Sequence, residues 1–216
     1  GASIIDMSYG EEGGPRGIES LSHGVLFWRS FIQWIGGMGI IVFSIAILPL
    51  LGVGGVQLFK AEVPGPVPDK IKPRVQETAK ILWLVYFGIS LAEILMLYFG
   101  GMTLFDSMCH MLTTMATGGF STKNASVGGF DSVYIEYVII FFMFLAGVNF
   151  SLHWRGIHGD LKSYFRDGEF RFYLALILSF TFVIFISKFL QSSDGGHFHT
   201  LFRDSLFQVV SIITTT

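Results

Sequence analysis

The stretch Thr113-Thr114-Met115-Ala116-Thr117-Gly118-Gly119-Phe120-Ser121-Thr122 lies near the middle of the chain, and apolar runs long enough to cross a bilayer flank it on both sides. Irregular backbone at membrane depth is tolerated only where it is buried in protein or lines a water-filled cavity. Rings of backbone carbonyls replace the hydration shell of an ion in K⁺ channels. The Thr and Gly residues therefore predict a loop whose carbonyl groups line a cation path.

The composition is that of a membrane protein. Of the 216 residues, 51% are hydrophobic and 14% are charged, and the mean hydropathy is +0.60, whereas a soluble domain carries about 25% charged residues. The sequence contains no basic stripe with interleaved aromatic residues, which is the pattern that would indicate nucleic-acid binding. A single cysteine, Cys109, excludes an intrachain disulfide. The first residue is Gly instead of Met and no signal-peptide pattern follows, which favours a piece of a longer polypeptide.

Four apolar segments are long enough to span about 30 Å of hydrocarbon. They are 25–51, 80–99, 133–153 and 172–190. Two shorter apolar stretches, 104–115 and 201–213, each run into a Thr cluster. We expect each to be a re-entrant pore helix followed by an extended loop, with Asp106 and Asp204 as the N-caps that complement the helix dipoles.

An internal repeat connects the two short stretches. Phe105-Asp106-Ser107-Met108 resembles Arg203-Asp204-Ser205-Leu206, and each Asp-Ser pair starts an apolar stretch of helical length that runs into Thr residues. Gly119 stands thirteen positions after Asp106, and the matching position after Asp204 is the one just past Thr216. The implied unit is an outer helix, a pore helix, a filter loop and an inner helix. On this basis residues 1–79 are the end of a first repeat, 80–170 a complete second repeat with its cytoplasmic link, and 171–216 the start of a third.

Lys and Arg residues concentrate in the links 52–79 and 154–171. Basic residues favour the cytoplasmic side, so both links are predicted to be cytoplasmic, and the Thr/Gly loops then open toward the outside. Prolines disfavour the helix interior and stiffen connectors. The first link is therefore predicted to be semi-rigid and not helical, because it contains Pro64, Pro66, Pro68 and Pro73.

Four stretches together carry a family resemblance. They are Phe27-Trp28-Arg29-Ser30 with Gln33-Trp34-Ile35-Gly36-Gly37-Met38-Gly39, then Leu48-Pro49-Leu50-Leu51-Gly52-Val53-Gly54-Gly55, Ala61-Glu62-Val63-Pro64-Gly65-Pro66, and Ala116-Thr117-Gly118-Gly119-Phe120-Ser121-Thr122. With these motifs the chain resembles the Trk/Ktr/HKT superfamily of cation transporters, and most closely the membrane subunits of bacterial Trk potassium uptake systems.

The resemblance implies an all-α membrane protein with four repeats around one K⁺-channel-like pore, each giving one filter glycine. Potassium would be the transported ion, by passive flow or by symport. The implied setting is a multi-pass homodimer in the lipid of the bacterial inner membrane, bound to a cytoplasmic nucleotide-binding regulatory subunit. The residues that the resemblance places at the ion path are Gly1, Ala116, Thr117, Gly118, Gly119, Thr214, Thr215 and Thr216. Gly119 is preferred to Gly118 as the filter glycine, because thirteen residues separate Asp106 from Gly119.

Two alternatives stay open. One is a Na⁺ or mixed Na⁺/K⁺ conductor of the same superfamily. The other is an intramembrane metal-dependent or serine hydrolase that uses His110, His153 or Ser121, although the sequence around Ser121 lacks the expected Gly-x-Ser-Gly pattern and the histidines lack zinc-like spacing. A protein that is not an enzyme is therefore predicted. Glu93 lies inside a span, where a carboxylate is a functional hypothesis by default, with an interhelical hydrogen bond as the simpler role.

Overall fold

The computed structural model describes residues 17–47, 71–191 and 198–216, and the elements in these ranges are helices. In chain order they are α1 (His23–Ile47), α2 (Ile71–Phe99), α3 (Leu104–Met115), α4 (Val133–Ala146), α5 (Phe150–Ile157), α6 (Lys162–Arg166), α7 (Gly168–Gln191) and α8 (Phe198–Thr214). Two 3-10 turns, Gly17–Ser20 and Ser126–Phe130, lie before α1 and α4. No strand occurs in the described ranges, which agrees with the predicted all-α fold.

Two described helices are long and apolar enough to cross a membrane. They are the part of α2 from Thr78 to Phe99, with a mean hydropathy of 1.9, and α7, with a mean hydropathy of 2.1. Large apolar side chains such as Phe182, Val183 and Leu190 are exposed on α7, as expected for a surface that faces lipid. Of the predicted first span, 25–47 is helical within α1 and the remainder lies outside the described residues.

The central helix α3 is too short to cross the membrane. Its 12 residues extend about 18 Å at about 1.5 Å per residue. It packs against α1, α2 and α4, and its residues from Cys109 to Met115 are all buried. Its bounds are those predicted from the apolar stretch 104–115. The second short helix, α8, packs against α4 and α7 and covers the predicted stretch 201–213. Each of these two helices therefore packs against at least two others.

The third predicted span, 133–153, is not one straight helix but a bent pair of helices that together are long and apolar enough to span. Helices α4 and α5 meet at a break of three residues and are bent by 103°. The N–H of Gly147 closes α4 by donating to Met143 O, and Asn149 begins α5 by accepting the N–H of Ser151 on its side-chain oxygen. A Gly that ends one helix and an Asn that caps the next are the local cause.

Part of the first link also differs from the prediction. Residues 71–79 belong to α2, although this part of the link was expected not to be helical. Pro73 is the third residue of α2, and the N–H that proline lacks has no intrahelical partner in the first turn of any helix. The link residues 52–70, with the other three prolines, lie outside the described residues.

His153 holds the bend between α4 and α5. Its Nε2 lies 3.0 Å from Leu145 O, and its Nδ1 lies 2.9 Å from the hydroxyl of Tyr164. Since a carbonyl only accepts, Nε2 carries the proton and Nδ1 accepts from Tyr164. Burial raises the pKa of Tyr164, so this phenol remains a donor. The imidazole thus connects the end of α4 to α6.

Replacing His153 should loosen this bend. His153→Ala removes the imidazole hydrogen bonds to the Leu145 carbonyl and the Tyr164 hydroxyl, each of which contributes about 0.5–1.5 kcal/mol, and we expect a melting temperature several degrees lower in detergent. His158→Ala is the matched control, because His158 is exposed and its Nδ1 contacts only Trp154 O of its own helix. Equal shifts for the two variants would contradict the assigned role.

Candidate functional site

The start of α3 is capped by Thr103 and not by Asp106, so the predicted N-cap is wrong. Thr103 Oγ1 accepts the N–H of Asp106 at 3.1 Å and donates to Asp106 Oδ2 at 2.7 Å, a reciprocal arrangement close to a capping box. The other carboxylate oxygen, Oδ1, accepts the hydroxyl of Thr122 at 2.6 Å. Asp106 therefore ties the first turn of α3 to the far end of the loop. Asp204 is not a cap either, since α8 begins at Phe198.

The end of α3 has a Schellman turn. The N–H of Gly118 donates to Thr113 O at 2.8 Å, and the N–H of Thr117 donates to Thr114 O at 2.9 Å. Thr117 has a φ of 54°, a left-handed conformation that a β-branched residue rarely adopts. Such a residue stores about 1–3 kcal/mol of strain and persists where the surrounding structure imposes it.

The end of α8 repeats this turn. The N–H of Thr216 donates to Ser211 O at 2.9 Å, and the N–H of Thr215 donates to Ile212 O at 3.3 Å. Thr215 has a φ of 61°. Thr215 and Thr216 stand at the positions that Thr117 and Gly118 occupy after α3. Two threonines at matched positions thus adopt the same unfavourable backbone conformation.

The loop after α3, residues 116–122, contains a row of carbonyl groups without protein donors. The carbonyl of Phe120 accepts the hydroxyl of Thr113 at 2.8 Å, and that of Ser121 accepts Arg29 Nη2 at 2.7 Å. No donor from the described residues reaches the four consecutive carbonyls of 116–119. Residues 116–118 are partly buried and Gly119 is exposed, so four carbonyls in sequence are accessible to a ligand.

Gly119 is fixed to glycine by two constraints. Its φ is 63°, which only glycine adopts without steric cost. A Cβ at this position would also lie 2.2 Å from the carbonyl carbon of Thr216. The loop after α3 and the turn after α8 are therefore in van der Waals contact at this point.

The structure places the predicted site residues as follows. Gly1 lies outside the described residues. Ala116, Thr117, Gly118 and Gly119 form the row of free carbonyls. In the turn after α8, the carbonyls of Thr214 and Thr216 accept hydroxyl groups of Thr215 and Ser211 respectively. The two turns therefore share backbone hydrogen bonds but differ in the freedom of their carbonyls.

The residues of the hydrolase alternative are only partly brought together. His110 Nδ1 lies 2.8 Å from Asp106 O, so it donates, and Nε2 accepts the Ser121 hydroxyl at 2.9 Å. Ser121 Oγ also accepts the N–H of Lys123 at 3.0 Å. His153 is engaged at the bend of α4 and α5. The His110–Ser121 pair connects the loop to α3, and no carboxylate orients the imidazole as in a hydrolase triad.

A cavity of about 540 Å³ opens beside Gly119 and Thr216. Charged side chains on its wall are Glu136, Lys188 and Asp204. Arg203 joins the two acids, with Nε 2.7 Å from Glu136 Oε2 and Nη2 3.2 Å from Asp204 Oδ1. The charges of the two acidic and two basic side chains cancel, so these four residues together contribute little to the electrostatic potential in the cavity. Any preference for cations at this place must therefore come mainly from the backbone.

Glu93 is completely buried beside Thr114 in the last turn of α3, and neither of its carboxyl oxygens has a hydrogen-bond partner among the described residues. The interhelical hydrogen bond expected as its simpler role is therefore not present in normal geometry. No group of three or more His, Cys, Asp or Glu side chains in the described ranges could hold a metal ion. The oxygens near α3 without protein donors among the described residues thus include the carboxyl oxygens of Glu93 as well as the backbone oxygens of the loop.

The family follows from a comparison with known sequences. The sequence model of the TrkH family, described as cation transport protein, matches residues 16–215. The chain belongs to the TrkH family. It is 47% identical over 201 residues to the Trk system potassium uptake protein TrkH of Salmonella typhimurium, with 92% of this chain and 41% of that protein covered. It is 37% identical over 217 residues to the Trk system potassium uptake protein TrkG of Escherichia coli K12, with 99% and 42% covered.

The fold is also that of a solved family member. The crystal structure of the potassium transporter TrkH from Vibrio parahaemolyticus superposes with a TM-score of 0.76 at 37% identity, over 91% of this chain and 39% of that one. The all-α membrane fold with a partial set of pore units is thereby confirmed. This TrkH-family chain spans about two fifths of the length of the relatives it matches.

The hydrogen bond between Thr122 and Asp106 should stabilise the loop. Thr122→Val removes the donor to the carboxylate, and hydrogen bonds to charged groups contribute about 1.5–3 kcal/mol. Thr181→Val is the matched control, because Thr181 is also buried but its hydroxyl has no partner among the described residues. We expect Thr122→Val to lower the melting temperature in detergent and Thr181→Val to leave it unchanged or raise it. The reverse order would contradict the role of Thr122.

Proposed function

We propose that this chain forms part of the pore of a Trk-type potassium uptake protein, and that the carbonyls of 116–119 replace the hydration shell of K⁺. The observation that carries the proposal is the row of four consecutive carbonyls without protein donors. Carbonyl oxygens in sequence are the ligands that K⁺ filters use. In this proposal 116–122 is the filter loop of the second repeat.

The helix before the loop supports a cation site. The C-terminal end of a helix carries a partial negative charge, equivalent to about half an elementary charge. Helix α3 ends at Met115, immediately before the free carbonyls. Its dipole therefore lowers the energy of a cation at the loop. No side-chain charge is needed for this effect, which agrees with the balanced charges around the neighbouring cavity.

The backbone of the loop suits this role. The left-handed Thr117 and Gly119 reverse the chain within a few residues, and so keep the carbonyls of 116–119 out of helical hydrogen bonding. A side chain at Gly119 would collide with Thr216, which is assigned to the filter of the third repeat together with Thr214 and Thr215. Gly1 is assigned to the filter of the first repeat. The filter glycines of the third and fourth repeats would come from outside this chain.

The organisation proposed around this site is that of the sequence analysis. Residues 1–79 would end the first repeat, 80–170 would form the second, and 171–216 would begin the third. The relatives are named as potassium uptake proteins of Trk systems, which favours K⁺ over Na⁺ as the ion and a transporter over a hydrolase. A homodimer in the bacterial inner membrane and a cytoplasmic nucleotide-binding regulatory subunit complete the proposal.

The filter assignment can be tested at Gly119. In a full-length transporter that carries this chain, Gly119→Ser adds a Cβ at positive φ and against Thr216, so the carbonyl row should shift. We expect the K⁺/Na⁺ flux ratio in proteoliposomes to fall roughly tenfold.

Gly88→Ser is the matched control for this test. Gly88 lies within α2, a Cβ there meets nothing within 4 Å, and its φ is not positive. An equal loss of selectivity in both variants would show general destabilisation and contradict the filter assignment. A wild-type protein that carries no K⁺ flux would contradict the proposed function itself.

A further inference from the structure

One face of α1 follows the filter loop of the next repeat, residue by residue. Arg29, Gln33 and Gly37 are spaced four apart, so they lie on the same side of the helix. From the first to the last of them they contact progressively earlier positions of the loop, Ser121, Gly118 and Ala116. The helix and the loop therefore run in opposite directions along this contact.

The first contact is made by Arg29 at the end of the loop. Its Nη2 donates to Ser121 O at 2.7 Å, and its guanidinium carbon lies 4.9 Å from the ring centroid of Phe120. Its Nε and Nη1 are buried and have no hydrogen-bond partner, and no carboxylate in the described ranges forms an ion pair with it. Two guanidinium nitrogens that are buried without acceptors are costly. The hydrogen bond to Ser121 and the contact with the ring of Phe120 are the interactions that offset this cost.

The second contact is made by Gln33 against Gly118. A Cβ built on Gly118 would lie 1.7 Å from Gln33 Nε2 and 2.2 Å from its Cδ. The amide thus fills the space that a side chain of residue 118 would take. Gln33 Oε1 is buried without a partner in the described part of the chain.

The third contact lets α1 approach closely. A Cβ on Gly37 would lie 3.0 Å from Ala116 Cα and 3.1 Å from the hydroxyl of Tyr86. Gly36 and Gly39, on other sides of the same helix, have nothing within 4 Å of such a Cβ. Of these three glycines, Gly37 is therefore the one whose lack of a side chain brings the backbone of α1 against the loop.

We propose that Arg29 and Gln33 are positioning residues that set the selectivity of the second filter loop, an inference that rests on the proposed function. Arg29 occupies the carbonyl of Ser121, and Thr113 occupies that of Phe120, so the row of free carbonyls ends at Gly119. The amide of Gln33 packs against Gly118 and limits the movement of the carbonyls of 116–119. The inner helix of one repeat thereby holds the filter of the next.

A rescue experiment tests the contact with Gln33. The φ of Gly118 is not in the positive range, so alanine fits its backbone, and the three atoms nearest to its Cβ all belong to the amide of Gln33. In the full-length transporter, Gly118→Ala should lower the K⁺/Na⁺ flux ratio roughly tenfold, and Gly118→Ala with Gln33→Ala should recover most of it. A double variant no better than Gly118→Ala would overturn the contact.

Variants of Arg29 test the end of the row. Arg29→Lys keeps the charge but loses the planar fork and the stacking on Phe120, and Arg29→Gln also loses the charge. Arg155→Gln is the control, because Arg155 is exposed and distant in sequence on α5. We expect both Arg29 variants to raise amide exchange in 118–123 roughly tenfold and to reduce K⁺/Na⁺ selectivity, with neither change in Arg155→Gln.

Amide exchange tests this inference separately from the proposed function, because it measures the local stability of the loop whether or not ions flow. Unchanged exchange in both Arg29 variants would overturn the inference even if the wild type is K⁺-selective. Raised exchange with unchanged selectivity would also overturn it, since the loop would then be held for stability alone. If Arg29→Gln does not fold, Arg29→Lys and the Gln33 rescue decide the matter.

Discussion

A helix that ends inside a membrane protein leaves its last carbonyl groups without helical partners, and around α3 several of these carbonyls, and some in the loop that follows, are bound by other donors. The Schellman turn takes the carbonyls of Thr113 and Thr114. Thr113 and Arg29 take those of Phe120 and Ser121. No donor from the described residues reaches the carbonyls of 116–119. Residues 116–118 are partly buried and Gly119 is exposed, so these carbonyls can face the proposed cation path.

The side chains beyond the row serve this arrangement. Asp106 binds both Thr103 and Thr122 and so joins the two ends of the segment that contains α3 and the loop. His110 reaches Ser121 from the middle of the helix. Each contact is modest alone, but together they impose left-handed geometry on Thr117 against its steric preference. The loop is thus held by its own pore helix from within and by α1 from the side.

The sequence predicts what local chemistry determines. The apolar stretch of α3 and the Thr/Gly cluster after it were located correctly, because hydrophobic runs and breakers are local signals. The Schellman turn was not predicted, because its left-handed position is Thr117 and not a glycine. The bend after α4 was missed although Gly147 and Asn149 stand there, since the apolar character continues across them. The N-cap at Thr103 was missed because Asp106, three residues later, carried the stronger charge signal.

The contacts of α1 were not predictable in the same way. Arg29 and Ser121 are 92 residues apart in sequence, and nothing near Arg29 indicates which carbonyl it meets. The sequence shows only that a charged residue, Arg29, lies inside an apolar helix, four residues before a glutamine. Gln33 and Gly118 are similarly remote, and their contact depends on the packing of two repeats. Long-range complementarity of this kind needs the folded structure.

The central claim, that the carbonyls of 116–119 bind the transported ion, is tested most directly by locating the ion. The full-length transporter would be crystallised in Rb⁺, which scatters anomalously and substitutes for K⁺, and again in Na⁺. The account predicts an anomalous peak in Rb⁺ within contact distance of the carbonyl oxygens of Ala116 to Gly119. A Rb⁺ peak elsewhere along the pore, with this row empty under conditions that sustain flux, would contradict it.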